Sequence, residues 1–483
     1  MSQTIHLIGI CGTAMATLAA MLKRKGFNVR GSDQDVYPPM SDFLHAEGIP
    51  TMVGYHPEHI SADLDLVVVG NAISRGNPEL EEVLDRKIRY CSLPEAIREH
   101  FLWGARSIVV AGTHGKTTTT AMIGWLLTHG GVDPSVLVGG IVRNFGEQGS
   151  SYRLGPGRDF VIEGDEYDSA FFDKTAKFLK YLPDIAIINN VEFDHADIYK
   201  DLEAVTLAFR RLINLVPRRG LLLVGADSPG ARALAAAAKS RVETFGTSDR
   251  TPSLDWQAHD LEPTCDTTKF RVRRHGSPFG SFEVPLVGAH NVRNALAAIA
   301  VATETGVSAD RIVEGLRAFA GVKRRLEVVG VADGVTIYDD FAHHPTAVAE
   351  TLAAVRAANP KARIWAVFEP RSASSCRRVF QDDFARAFAG ADEVLLAPVF
   401  RSTLPDDERL SIPQLVRDLE SRGQRAREAA SIDDIVSVVV REHRFGDLVV
   451  LMSNGGFGGI HQKLLRALAG RERSRGAGKE DAT

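Results

Sequence analysis

The stretch Val109-Val110-Ala111-Gly112-Thr113-His114-Gly115-Lys116-Thr117-Thr118 constrains the fold more than any other part of the chain. Its apolar start reads as a buried strand over Ser107 to Ala111, and its glycines turn the chain into a helix. A strand feeding a helix through a tight turn opens a βαβ unit, which implies a mostly parallel sheet covered by helices. The turn also carries chemistry. Backbone N–H groups and a helix N-terminus attract phosphate, Lys116 adds a point charge, and a hydroxyl such as that of Thr117 can ligate Mg2+. The spacing Gly112-x-x-Gly115-Lys116-Thr117 is shorter than the common Gly-x-x-x-x-Gly-Lys-Thr loop. A glycine turn without a ligand is the plain alternative. Strand, helix, Lys116 and the threonine run together favour phosphate binding, and ATP is the expected nucleotide.

The strand–turn–helix rhythm recurs along the 483 residues. Ile5 to Gly9, a helix over Gly12 to Lys25 and a strand over Phe27 to Asp33 read as a Rossmann-like start. Further buried strands are expected at Leu64 to Val69, Phe160 to Ile162, Ile185 to Ile188 and Leu221 to Val224. Short antiparallel strands are expected between Asp255 and Glu283, and an alanine-rich helix over Ala295 to Thr305. Strands at Val335 to Tyr338, Arg363 to Phe368, Glu393 to Ala397 and Leu448 to Met452 complete a third α/β segment. The expected class is therefore α/β with three domains: a Rossmann-like one over 1–106, a phosphate-loop ATPase-like one over 107–325 and a second Rossmann-like one over 326–470. The polar tail 471–483 is expected to be disordered.

Strand ends select the other candidate residues, because ligands of open α/β sheets bind beyond the carboxyl ends of the strands. Glu163-Gly164-Asp165-Glu166-Tyr167-Asp168 follows one strand and offers oxygens that Mg2+ prefers; a solvated acidic loop has the same composition. His195, in Asn189-Asn190-Val191-Glu192-Phe193-Asp194-His195, follows another strand and is able to ligate a metal or orient a phosphate. The turn Gly9-Ile10-Cys11-Gly12-Thr13 lacks a full dinucleotide fingerprint. Asn291 and Asn294, before the helix expected at Ala295, suit either an adenine edge or a helix cap. His343 and His344 suggest zinc, but no further ligands stand at zinc spacing, so no zinc site is expected.

Composition narrows the class. Hydrophobic residues make up 44% and charged residues 24%, and the net charge of −4 argues against a nucleic-acid partner. The four cysteines form no close pair, so neither a zinc site nor a disulfide framework is expected. No basic leader precedes the first strand and no apolar run reaches membrane-spanning length, so a cytoplasmic protein without membrane contact is expected.

Taken in order, these motifs resemble the Mur ligase family of peptidoglycan synthesis. The resemblance runs from Ile5 to about Leu468, through the Gly9 turn, Gly112-Thr-His-Gly-Lys-Thr-Thr118, the Glu163 run, Asp194-His195 and His290-Asn-x-x-Asn294, with Arg325 and Asp340 at two later positions. It implies that the first domain binds the UDP of a UDP-muramoyl substrate, around Gly9, Cys11, Gly12, Thr13 and Asp33. It implies MgATP on Gly112, Thr113, His114, Gly115, Lys116, Thr117 and Thr118, with Asn291 and Asn294 on the nucleotide, Arg325 on the γ-phosphate and Asp340 on the ribose. Thr117, Glu163 and His195 would set Mg2+, two ions being expected. Lys116, Glu163, His195 and Arg325 form the implied catalytic set.

Several stretches resemble the branch that attaches the recycled tripeptide L-alanyl-γ-D-glutamyl-meso-diaminopimelate to UDP-N-acetylmuramate. They are Gly9 to Met15, Val36 to Ser41, Asp165 to Lys174, Glu192 to Asp197, Glu369 to Ser372 and Met452 to His461. Gly164, Thr175-Ala176 and the stretch from Ala373 to Val379 depart from that branch's form. Arg371 is the candidate for gripping a peptide carboxylate, and a surface ion pair with Glu369 is its bland alternative. No lysine stands beside Arg210 and Arg211, so a carbamylated lysine is not expected. The alternative activity is UDP-N-acetylmuramate–L-alanine ligation. A folylpolyglutamate-type ligase and a non-catalytic UDP-sugar sensor are more distant readings. The assembly implied is a monomer or weak homo-oligomer.

Overall fold

A computed structural model describes residues 2–247, 254–400 and 404–480, with side chains described as far as Arg471. The chain divides into two compact units: residues 1–192, 203–245 and 297–315, and residues 193–202, 246–296 and 316–483.

Among the described residues the first unit holds two mostly parallel sheets and a two-stranded antiparallel pair, Asp168–Ala170 with Asp173–Ala176. In the N-terminal one, five parallel strands lie in the order Thr51–Val53, Asn28–Asp33, Thr4–Ile8, Leu66–Val69, Tyr90–Ser92. The central strand Thr4–Ile8 is buried along its whole length, as the apolar run requires of a strand covered on both faces. The helix Thr13–Arg24 follows it directly. Neighbouring helices start on local signals: Asn77 accepts from the Glu79 and Leu80 amides ahead of Pro78, and Ser92 forms a capping box with Glu95. In the second sheet the order is Arg241–Gly246, Leu221–Gly225, Pro183–Ile188, Arg106–Ala111, Asp159–Glu163, Ser135–Val142, Ser150–Arg153. All neighbours are parallel except the last pair. Arg106–Ala111 lies inside the sheet, so the helix that follows it, Lys116–His129, starts among the carboxyl ends of its neighbours.

The second unit contains an antiparallel meander, Trp256–Pro263, Thr268–Arg274 and Ser277–Val284, where short strands were expected. It also contains a six-stranded sheet in the order Glu327–Ala332, Val335–Asp340, Leu448–Met452, Ile364–Phe368, Glu393–Leu396, Arg425–Glu428. Only the first pair is antiparallel. Ile364, Ala366 and Phe368 join one core, and Trp365 and Val367 join the other, so this sheet is covered on both faces.

Two expectations are corrected. The alanine-rich helix starts at Ala289, not Ala295, so Asn291 and Asn294 are helical residues rather than a preceding loop. The apolar periodicity that marked Ala295 begins only where the helix becomes fully apolar; the polar first turns hide its start. The helix Ile460–Glu480 also continues through most of the tail expected to be disordered. Leu464 and Leu468 anchor its earlier turns in the core. Residues 481–483 of that tail lie outside the described residues. Among the described residues no helix is long and apolar enough to cross a membrane.

Candidate active site

The loop at Gly112 is built by torsion and close approach. Gly112 has φ +135° and sits where a Cβ would come within 3.0 Å of the Asn189 amide nitrogen. Gly115, at φ +78°, turns the chain into the helix. Asn190 braces the loop from the neighbouring strand: its carbonyl accepts from Thr113 N at 3.1 Å, and its Oδ1 accepts from His114 N at 2.7 Å. His114 Nε2 lies 3.1 Å from Glu192 Oε2.

Lys116 folds back over this loop. Its Nζ donates to Gly112 O at 2.8 Å, to Thr113 O at 3.2 Å and to Glu166 Oε1 at 3.0 Å. Burial alone would lower the ammonium's pKa. The carboxylates of Glu166, Asp165 and Glu163 outweigh it, so the pKa is raised and the charge is kept. One residue on, Thr117 Oγ1 donates to Glu163 Oε1 at 2.9 Å, and Glu163 Oε2 accepts from Gly139 N at 2.7 Å. Thr118 is buried behind them. A hydroxyl and a carboxylate in contact beside a phosphate loop are a donor set that suits Mg2+. The expected residues Gly112 to Thr118 and Glu163 are therefore brought together. Glu166 and Asn190 were quoted in the motifs above but given no role; Glu166, at 2% exposure and against Lys116, is the buried acid of the group.

The glycine turn of the N-terminal sheet is more self-contained than expected. Gly9 N and Ile10 N donate to Ser32 O at 2.8 and 3.0 Å, and Cys11 N donates to Asp33 Oδ2 at 2.8 Å. Asp33 Oδ1 also accepts from Gln34 N at 2.8 Å and from Tyr55 Oη at 3.2 Å. Asp33 thus pins the turn from inside. Gly9, Ile10, Cys11 and Gly12 all spend their amides on the protein, Gly12 N donating to Gly9 O at 3.3 Å, and the first turn of the helix, exposed at Thr13 and Ala14, is what offers N–H groups outward. Burial and the neighbouring Asp33 push the Cys11 thiol up to about 11.

His195, Asn291, Asn294, Arg325, Asp340 and Arg371 belong to the second unit. His195 has φ +54°, and its amide donates to Asp194 Oδ1 at 2.7 Å. Burial pushes the Asp194 carboxyl up. His195, His343, His344 and a hydrogen bond from Ser374 outweigh that and hold it well below the usual carboxylate range. Ser374 Oγ accepts from Ala196 N at 3.3 Å, and His344 Nε2 lies 3.1 Å from Phe193 O. The adjacent histidines both bear on this buried acid, and no sequence spacing pointed to Asp194 or Ser374 as its hub.

Asp340 accepts from Leu326 N at 2.6 Å, Ala342 N at 2.8 Å and Thr351 Oγ1 at 3.3 Å. Burial raises its pKa, against the opposing pull of Arg325. These bonds hold the turn that carries Arg325, whose guanidinium lies 5.0 Å from the Phe341 ring centroid. Asn291 and Asn294 share a helix face one turn apart, with Asn294 Nδ2 donating to Asn291 Oδ1 at 3.3 Å. Arg371 lies 3.7 Å from Glu369 Oε1 and stacks 3.7 Å from the Phe400 centroid. Arg371 does meet Glu369, but Glu369 is buried, so this is not a pair on the surface, and the Phe400 ring accompanies it.

Models of three protein families match successive stretches: Mur ligase family, catalytic domain, over residues 4–102; Mur ligase middle domain, over 110–302; and Mur ligase, glutamate ligase domain, over 324–455. A Haemophilus influenzae protein named UDP-N-acetylmuramate–L-alanyl-γ-D-glutamyl-meso-2,6-diaminoheptandioate ligase is 42% identical over 467 residues, covering 96% of this chain and 99% of its own. The chain belongs to the Mur ligase family. Ligases of this family are in general ATP-dependent and require Mg2+. An L-alanine ligase of the family from Salinibacter ruber is 37% identical over 429 residues, covering 88% of this chain and 86% of its own. Among solved structures, a murein peptide ligase from Psychrobacter arcticus superposes with TM-score 0.71 at 36% identity, covering 97% of this chain and 99% of that one. A UDP-N-acetylmuramate–alanine ligase from Thermotoga maritima shares the fold, with TM-score 0.77 at 24% identity over 98% and 99% of the two chains.

Proposed function

We propose that this Mur ligase joins L-alanyl-γ-D-glutamyl-meso-diaminopimelate to UDP-N-acetylmuramate with ATP, in peptidoglycan recycling. The observation that carries the choice of amine is the 42% identity, over 96% of the chain, to a relative bearing that name, against 37% over 88% for an L-alanine ligase. Three domains divide the work: 1–106 for the UDP-sugar, 107–325 for ATP and 326–470 for the peptide. The reading carries with it a cytoplasmic location, no nucleic-acid or membrane partner, and a monomer or weak homo-oligomer.

The chemistry follows from the leaving group. An amine cannot displace hydroxide from a carboxylate at a useful rate. A muramoyl carboxylate oxygen therefore attacks the γ-phosphorus and ADP departs, leaving an acyl phosphate. The peptide's α-amine then attacks the acyl carbon, loses a proton and expels phosphate. Lys116 and Arg325 neutralise charge on the transferred phosphoryl group. Asn291 and Asn294 contact the nucleotide, and Asp340 its ribose. Thr117, Glu163 and His195 would hold Mg2+, two ions in this reading, which would supply further charge neutralisation. The helix start at Gly12 and Thr13, with the Gly9 turn, Cys11 and Asp33 behind it, receives the UDP.

An amine panel tests the assignment. With UDP-N-acetylmuramate and MgATP fixed, phosphate release and product mass are measured for the tripeptide and for L-alanine. The tripeptide is expected to have much the higher kcat/KM. Equal or better use of L-alanine would hand the chain to the alanine-ligase branch.

A further inference from the structure

An ammonium has three N–H donors, and those of Lys116 are matched by three acceptors: the Gly112 and Thr113 carbonyls and the Glu166 carboxylate. A phosphate oxygen cannot be added to this lysine without displacing one of them. The carbonyls belong to the loop itself and are neutral, so they lose little when the lysine leaves. Glu166 is different, because it is a 2%-exposed carboxylate facing the ammonium at 2.8 Å. A buried charge stripped of its counter-ion is strongly unfavourable. Asp165 already pairs with Lys177 at 2.7 Å, and Glu163 is engaged by Thr117 and Gly139, so the run holds three carboxylates around the loop. Free ATP brings four more negative charges. If it draws Lys116 to its phosphates, it takes from Glu166 the ammonium that faces it at 2.8 Å while adding negative charge beside it. A divalent cation entering with the nucleotide restores the balance that Lys116 gave up.

We propose that Glu166 is a positioning residue that parks Lys116 in the resting loop and makes nucleotide binding conditional on a divalent cation. The proposal rests on the assignment of the Gly112 loop as the ATP site. Binding of Mg2+ and ATP is then coupled through the Lys116–Glu166 pair, and the coupling is reciprocal. Glu166→Gln keeps the side chain's shape and an acceptor for Lys116 but removes the charge.

The test is calorimetric titration of the full chain with ATP, once in EDTA and once in excess Mg2+. The readout is the ratio of the two Kd values. In the parent, ATP should bind at least about tenfold more weakly in EDTA. Glu166→Gln should tighten ATP in EDTA by about tenfold and leave the Mg2+ value within about threefold, so the ratio falls. Glu166→Asp keeps the charge and should keep the dependence. A ratio in Glu166→Gln that falls by less than about threefold overturns the proposal. So does a parent ratio near one, a result that needs no variant to fold. Lys116→Ala separates the two layers: if it binds ATP as tightly as the parent in both titrations, the loop is not the ATP site and the underlying assignment fails. If it loses affinity while Glu166→Gln changes nothing, only the role of Glu166 fails.

Discussion

Lys116 carries two burdens, and they separate experimentally. It is the charge aimed at the phosphates, and it is the partner of a buried acid at 2.8 Å. Lys116→Ala is expected to lower kcat by about 10²–10³. It should also lower stability by about 3 kcal/mol, because a buried carboxylate, Glu166, loses the ammonium that faces it. The double variant Lys116→Ala, Glu166→Gln should recover most of the stability and none of the activity, as read by denaturant melts beside phosphate release. A double variant as unstable as the single one would mean that the pair is not what holds the loop. Arg371 poses a similar question. Its guanidinium carbon lies 3.7 Å from the Phe400 ring centroid while one Nη reaches toward Glu369, and a guanidinium carries further N–H donors able to grip a carboxylate. Lysine cannot reproduce a planar stack with a two-pronged grip. Arg371→Lys is therefore expected to raise the peptide KM by about tenfold and leave the KM values for UDP-N-acetylmuramate and ATP unchanged. A general rise in all three would assign Arg371 to the fold instead.

Among elements, the junction between the strand Arg425–Glu428 and the helix Ile432–Glu442 is held by charge. Both Arg427 Nη atoms donate to Glu442, at 2.9 and 2.7 Å. The hydrogen bond from Arg427 is the chief cause that lowers the Glu442 pKa to about 2. A carboxylate whose folded pKa is depressed contributes stability above its unfolded pKa, near 4.3, and loses that contribution as pH falls through the folded value. Glu442→Gln is thus expected to melt about 1–3 °C below the parent at pH 7, a small shift because the pair is partly exposed. The gap should close as pH falls from about 4.5 toward 2. A gap that stayed constant down to pH 2 would place the effect in packing, not in charge. The helix Ala289–Glu304 teaches a different lesson at this scale. Its polar first turns carry Asn291 and Asn294, and a reading by apolar period starts it six residues late, at Ala295.

For the whole molecule, the N-terminal sheet is joined to the second sheet of its unit by side chains. Thr17 Oγ1 lies 2.9 Å from Ser151 Oγ, Tyr152 Oη lies 3.3 Å from Glu47, and the Arg24 guanidinium sits 5.3 Å from the Tyr152 ring centroid. UDP binding is therefore best measured on the complete chain. It is expected by calorimetry without ATP, because the orphan amides at the start of the helix Thr13–Arg24 do not depend on the phosphate loop. Failure to bind at about 1 mM UDP would remove the N-terminal turn as the diphosphate site. The sequence by itself determined the strands, the Gly112 loop and the order of motifs, because glycine torsions, apolar runs and caps depend on residues adjacent in the chain. It also determined the family, through that order. Tertiary structure alone decided that Glu166 faces Lys116, that Ser374, His343 and His344 gather on Asp194, and that Arg371 has Phe400 beneath it. Those pairings depend on strand order and on loops distant in sequence, and local periodicity encodes neither.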